Sequence, residues 1–273
     1  MRKIAFLLSC IMLFGCFFLL TSCGDESGLL FAEYVEEGKV VGYSVTGRGE
    51  STATDLVVPE TYKGRPVMAI GDSAFLECEA LTSVTLPDSI VSVGNTAFKN
   101  CTALKRINTP ASLKTIGIEA FFGCEALEAF DIPDATIKSI GADAFGGTAC
   151  ITTDEATKTQ YVDGWAVRIV DAQSLSWSDV VYLRDDTVGV ADGLAATGYD
   201  MKNIFFEKVV VPKSVKRLLM NKAFNYKGIE YAGTMEEFKE IAPNLGYTIV
   251  TWSSTVTCTD GEIRFSSMTA YPY

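Results

Sequence analysis

The chain has no histidine among its 273 residues. The commonest general base and the commonest metal ligand are therefore missing together. Positive charge is scarce as well, with 23 Lys and Arg against 34 Asp and Glu, a net of −11. Nucleic acid and anionic membrane surfaces are poor partners for such a chain. No serine lies in a G-x-S-x-G context. No carboxylates are spaced as in a calcium loop. Gly47-Arg48-Gly49 has neither the further glycines nor the Lys-Ser/Thr of a phosphate loop. Asp154-Glu155, Asp185-Asp186, Asp260 and Glu262 read as solvated surface charges. A carboxylate pair for glycoside hydrolysis would need a cleft. These absences leave little room for an enzyme and none for an evident cofactor or metal site.

What is present is a period. Pro87, Pro110 and Pro133 recur at one interval, as do Phe75, Phe98 and Phe121, and Cys78, Cys101 and Cys124. One unit runs Leu81-Thr-Ser-Val84-Thr-Leu86-Pro87, then Ile90, Val93-Gly94, Ala97-Phe98 and Cys101. A fixed period of 20–50 residues marks a stacked repeat, in which each unit buries its apolar edge against the next. In each unit Leu81, Val84 and Leu86 should point inward from a short strand while Ser83 and Thr85 alternate outward. Pro87 ends the strand because it has no N–H for the ladder. Ile90, Val93, Ala97 and Phe98 fill the back half, and Gly94 marks a turn that a side chain would obstruct. Phe75, Phe98, Phe121 and Phe145 are expected to stack through the interior.

The pattern L-x-x-I-x-L-P followed by I-G-x-x-A-F-x-x-C resembles the leucine-rich repeat of the BspA-like family. That resemblance implies a β-rich repeat solenoid and a secreted or surface interaction protein. A second resemblance lies at the start. Arg2 and Lys3 precede an apolar run over residues 4–20, and Leu20-Thr21-Ser22-Cys23 resembles a bacterial lipobox, whose cysteine is lipidated and becomes the first residue. The rival Leu13-Phe14-Gly15-Cys16 places bulky Phe14 where a small residue is usual. An uncleaved anchor is the alternative, with an apolar run at the short end of a span. Loss of residues 1–22 leaves 21 Lys and Arg against 34 Asp and Glu, a mature net of −13.

The chain then divides as follows. A tether occupies 23–28, and its Gly24-Asp25-Glu26-Ser27 reads either as a surface-export signal or as a plain solvated linker. An N-terminal β cap covers 29–50, two β-rich runs around Glu36-Glu37-Gly38. Leucine-rich repeats fill 51–150. A hairpin on Asp163-Gly164 is inserted over 151–178. Degenerate repeats follow over 179–228, for six rungs in all. The segment 229–273 is a small α+β cap and tail, with Thr234 and Glu237 forming a capping box.

The cysteine column invites a metal or disulfide reading. Parallel rungs lie about 4.8 Å apart with equivalent side chains parallel, beyond the roughly 3.5–4.5 Å that Cβ atoms of a disulfide need. Zinc needs four converging ligands. A ladder of small buried thiols is the simpler reading. Cys150 and Cys258 could pair only if the fold brings them together.

The expectation is a monomeric, non-catalytic, extracytoplasmic protein anchored through Cys23 to the bacterial membrane. It would bind an extracellular protein or glycan in the manner of an adhesin, or alternatively serve as an envelope scaffold. The candidate binding face is the outward side of the strands. One column is Asp55, Ser83, Arg106, Ala129, Val180 and Lys208. The other is Val57, Thr85, Asn108, Asp131, Tyr182 and Val210. Six rungs at about 4.8 Å would make a strip on the order of 25 Å long. Either that strip is open, or the 151–178 hairpin folds its Trp165 and Trp177 over the apolar end.

Overall fold

The computed structural model describes residues 27–170, 175–176, 178–194, 204–219, 224–242 and 254–265. Cys23 and the leader lie outside them, as do Trp177, Pro243 and residues 247–252 and 266–273. The protein is a β-solenoid of about seven turns.

The chain enters through a hairpin. β1 (Leu30–Glu36) and β2 (Lys39–Gly47) pair antiparallel. Glu37 and Gly38 between them both have positive φ, as the tight turn of a right-twisted hairpin requires. The first front strand is β3 (Asp55–Val57), followed by a small hairpin of β4 (Thr61–Tyr62) and β5 (Arg65–Ile70). β2 pairs in parallel with β5 and so extends the back sheet towards the N-terminal end.

Two regular turns follow. One supplies β6 (Ser83–Thr85) in front and β7 (Ser92–Val93) behind; the next supplies β8 (Arg106–Ile107) and β9 (Thr115–Ile116). The turn after that gives only the back strand β10 (Ser139–Ile140). Then come a meander of β11 (Thr152–Asp154), β12 (Thr159–Val162) and β13 (Trp165–Ile169), and after it β14 (Val180–Tyr182) and β15 (Gly189–Val190). β16 (Ile204–Val211), β17 (Arg217–Leu218), β18 (Phe224–Tyr231), the helix α1 (Met235–Ile241), β19 (Ser254–Cys258) and β20 (Gly261–Phe265) complete the chain.

Four sheets result. The back sheet runs β1-β2-β5-β7-β9-β10, with β4 on the side of β5, and a second back sheet runs β11-β12-β13-β15-β17. The front is divided into a three-stranded sheet, β3-β6-β8, and a five-stranded one, β14-β16-β18-β19-β20.

Side-chain alternation explains the rungs. Val84, Leu86, Ile90, Val93, Ala97 and Phe98 are all buried, whereas Thr85 is exposed. Phe75, Phe98, Phe121 and Phe145 form the expected ladder, with ring centroids 5.2, 5.4 and 5.6 Å apart and planes within 9°, 3° and 10°. Phe130 packs edgewise against the last two rings. The cysteines form a second ladder. Cys101 Sγ donates to the Phe75 carbonyl and Cys124 Sγ to the Phe98 carbonyl, both at 3.0 Å. Cys150 and Cys258 are free thiols and pack in different apolar clusters.

The structure shows what would obstruct a side chain at the repeat glycine. Gly94 has no left-handed backbone; a Cβ there would lie 2.6 Å from Asp72 N and 2.7 Å from the Gly71 carbonyl carbon. The position is glycine because successive backbones stack directly on each other. The same N–H donation runs from Gly94 to Ile70, Gly117 to Val93, Gly141 to Ile116 and Gly193 to Ile140. The back column therefore passes from residue 141 to residue 193 across the intervening meander.

That meander is part of the stack. Asp163 and Gly164 form the expected tight turn, both with positive φ. Trp165 is fully buried, and its indole Nε1 donates to Asp134 Oδ1 at 2.7 Å. β13 pairs in parallel with β15. The fold over the strand face that was left open for Trp165 does not occur.

Two apolar clusters fill the solenoid. The first contains Leu29, the phenylalanine ladder and Trp165; the second runs from Tyr161 to Cys258. At the C-terminal side Thr234 and Glu237 make the capping box, and Phe238 and Ile241 are buried beneath it.

Candidate binding face

The outward strand positions lie on both front sheets. Pairing in the first aligns Asp55 with Ser83 and Arg106, and Val57 with Thr85. Pairing in the second aligns Val180 with Lys208, Gly228, Thr255 and Arg264. It also aligns Tyr182 with Val210, Glu230, Thr257 and Glu262. Ala129 and Asp131 are exposed, with Phe130 buried between them, but they form no strand.

The outward positions are thus divided between two front sheets, with Ala129 and Asp131 between them in no strand. In the regular turns Asn108 spans the rung: its Oδ1 accepts from Leu86 N at 2.6 Å and its Nδ2 donates to Leu86 O at 2.8 Å. Two turns on from Leu86, the N–H of Ile132 goes instead to Asp163 Oδ2 of the meander, at 2.8 Å. Asp163 thus gives Ile132 the side-chain acceptor that Asn108 gives Leu86; the first front sheet ends at β8.

The two faces differ in chemistry. In the first, polar groups are satisfied by their neighbours. Asp55 accepts from the hydroxyls of Ser83 and Thr82, which hold its carboxyl below the usual aspartate range. Asn108 is spent on Leu86. Arg106 and Thr85 are exposed, and Val57 is 65% exposed.

The second face is mixed. Tyr182 is 55% exposed, and Val180 and Val210 are half-buried beside it. Lys208 forms an ion pair with Glu230, which raises the lysine above its ordinary value, and Arg264 pairs with Glu262 at 3.0 Å. Such exposed pairs add about 0–1 kcal/mol to stability, so they are available for exchange with a ligand at little cost. Sequence reasoning stopped at Lys208 and Val210 and missed Glu230, Thr255, Thr257, Glu262 and Arg264. The alternation around Ile229 and Val256 was the signal that could have extended the columns.

The cysteines of the core are shielded thiols. Burial pushes the Cys78 thiol up, against the opposing Arg48 guanidinium beside it. Cys101 is pushed far up, first by its contact with the Cys124 thiol and then by burial. These are protonated, poorly nucleophilic thiols. Among the described residues no three His, Cys, Asp or Glu side chains group as a metal site would require.

A turn-by-turn stack with paired front and back strands and inward leucines, phenylalanines and cysteines defines a leucine-rich repeat protein. Residues 54–164 match the BspA type leucine rich repeat region in six copies, so that stretch is similar to BspA-type leucine-rich repeats. A comparison with curated proteins finds no match.

Solved structures similar to it are bacterial leucine-rich repeat proteins. One is from T. pallidum, at 20% identity over 76% of this chain and 84% of that one, with a TM-score of 0.42. One is from Bacteroides capillosus, at 27% identity over 45% of this chain and 90% of that one, with a TM-score of 0.39. A leucine rich cell surface protein from Faecalibacterium prausnitzii is 15% identical over 80% of this chain and 96% of that one, with a TM-score of 0.36.

Proposed function

We propose that this is a monomeric, non-catalytic binding protein of the bacterial cell surface, adhesin-like and lipid-anchored through Cys23. The observation that carries the reading is the second front face. It presents an exposed tyrosine and two valines beside easily exchanged ion pairs, on a protein whose charge is otherwise strongly acidic. Exposed apolar patches rimmed by polar groups mark contact sites, and tyrosine is favoured at their centres. Five strands at about 4.8 Å give a platform on the order of 20 Å across, wide enough for a peptide or oligosaccharide. The absence of histidine and the protonated thiols support a role without catalysis.

A second reading, an envelope scaffold, is favoured by the first front face, where Asp55 and Asn108 are spent on their own neighbours. The test is a binding screen of residues 24–273 against matrix proteins and glycans. Tyr182→Ala should weaken the ligand found by at least tenfold with little change in melting temperature. Arg106→Glu should weaken a ligand that also reaches the first face. If both variants bind as the parent does, the strand faces are idle and the scaffold reading stands.

A further inference from the structure

Among the described residues, the large apolar side chains that remain exposed are not evenly spread. They are Leu30 (55%), Val35 (54%), Val57 (65%), Leu76 (42%) and Tyr182 (55%). The first four belong to the cap and the first turn. Leu30 and Val35 stand on β1, the terminal strand of the back sheet, which among the described residues pairs with β2 alone. An open edge strand carrying exposed apolar side chains is one that proteins usually cover or blunt.

The position of this edge along the chain says what covers it. Gly28 is already fixed to the body: its carbonyl accepts from Glu50 N at 3.1 Å. Leu29 is buried in the first apolar cluster. From Cys23 to Gly28 is five residue steps, and an extended chain spans at most about 3.5 Å per residue. An acyl chain on Cys23 therefore holds Gly28, two residues before β1, within about 17 Å of the bilayer surface.

We propose that β1 rests edge-on on the phospholipid surface that holds the anchor, with Leu30 and Val35, on opposite faces of the strand, flanking the edge in contact with the lipid. The proposal depends on the reading of Cys23 as the lipidated residue. Glu33 and Glu36 are exposed on the same strand, so the surface it fits is zwitterionic; an anionic one would repel both carboxylates. The same carboxylates oppose pairing of β1 with a second copy of itself, where like charges would be brought together. Contact at this end turns the other end away from the membrane. β14 lies several turns further on, at about 4.8 Å per turn, which leaves Tyr182 and its neighbours accessible from outside.

The test uses the intact lipidated protein in vesicles of phosphatidylcholine and phosphatidylethanolamine with a trace of phospholipid bearing a photoreactive diazirine. After irradiation, labelled peptides are mapped by mass spectrometry. The peptide spanning residues 27–39 should carry at least fivefold more label than the peptide containing Tyr182. The double variant Leu30→Glu with Val35→Glu should lose at least fivefold of that label while staying on the vesicles. Equal labelling of the two peptides in the parent overturns the proposal and needs no variant. If the intact mass shows acyl chains on Cys23 and the first peptide is not enriched, this inference fails alone; if Cys23 carries none, the anchor reading fails with it. Labelling of 27–39 that falls as protein density on the vesicle rises would assign the edge to a second copy and equally overturn it.

Discussion

Phe98→Ala measures how far the stacked core is shared between turns. Phe98 is fully buried, and its ring lies 5.2 Å from Phe75 and 5.4 Å from Phe121, nearly parallel to both. Deleting a buried phenylalanine costs about 3–5 kcal/mol from lost transfer free energy and the cavity left behind. Each aromatic contact adds about 0.5–1.5 kcal/mol beyond burial. Ring neighbours on both sides place Phe98 at the upper end of the range, about 4–5 kcal/mol. Phe98→Leu keeps much of the apolar volume and loses the two ring contacts, so it should cost about 1–3 kcal/mol. Whole domains hold only about 5–15 kcal/mol, so the alanine variant should unfold the first apolar cluster at a much lower urea concentration. Urea melts followed by circular dichroism, with hydrogen exchange at residues 75–124, would read this. A loss below about 2 kcal/mol, or exchange that rises at Phe98 while the neighbouring turns stay protected, would refute the idea that stability is held in common through the ladder.

Other outcomes follow from the same contacts. Gly94→Ala should cost about 1–3 kcal/mol, the usual range for overpacking, because its Cβ would meet Asp72 N at 2.6 Å; an unchanged melting temperature would show that the turns spread freely. After denaturation Cys78, Cys101 and Cys124 should all alkylate, and in the native protein half-buried Cys78 should react before the two buried thiols. A bridge among them, or Cys101 reacting first, contradicts the thiol ladder. Glu237 is held below the ordinary glutamate value by the Thr234 backbone N–H and then by Lys213. Its folded pKa being the lower one, its contribution is complete above the unfolded value and is lost as pH falls through the folded one. NMR titration should place Glu237 below an unstructured glutamate, and Thr234→Ala should move it upward while costing about 1 kcal/mol.

What the sequence by itself determined is everything that repeats or is local. A period of apolar, proline, phenylalanine and cysteine positions reports one-dimensional stacking, because each unit meets the same neighbours as the last. The ladder of Phe75, Phe98, Phe121 and Phe145 was legible for that reason. The tight turns at Glu37-Gly38 and Asp163-Gly164 and the Thr234–Glu237 box were legible because their partners lie within three residues.

Only the tertiary structure decided where the repeat breaks and what replaces it. Asp163 caps Ile132 across 31 residues, and Trp165 reaches Asp134 at the same separation. No period announces either contact, so the sequence could not tell a meander inside the stack from a flap over it. The reason for Gly94 also lay outside its own unit, in the Asp72 and Gly71 backbone one turn earlier. Contacts between equivalent positions can be read from spacing; contacts between unlike positions depend on how the chain returns to itself, and that is settled by packing in three dimensions.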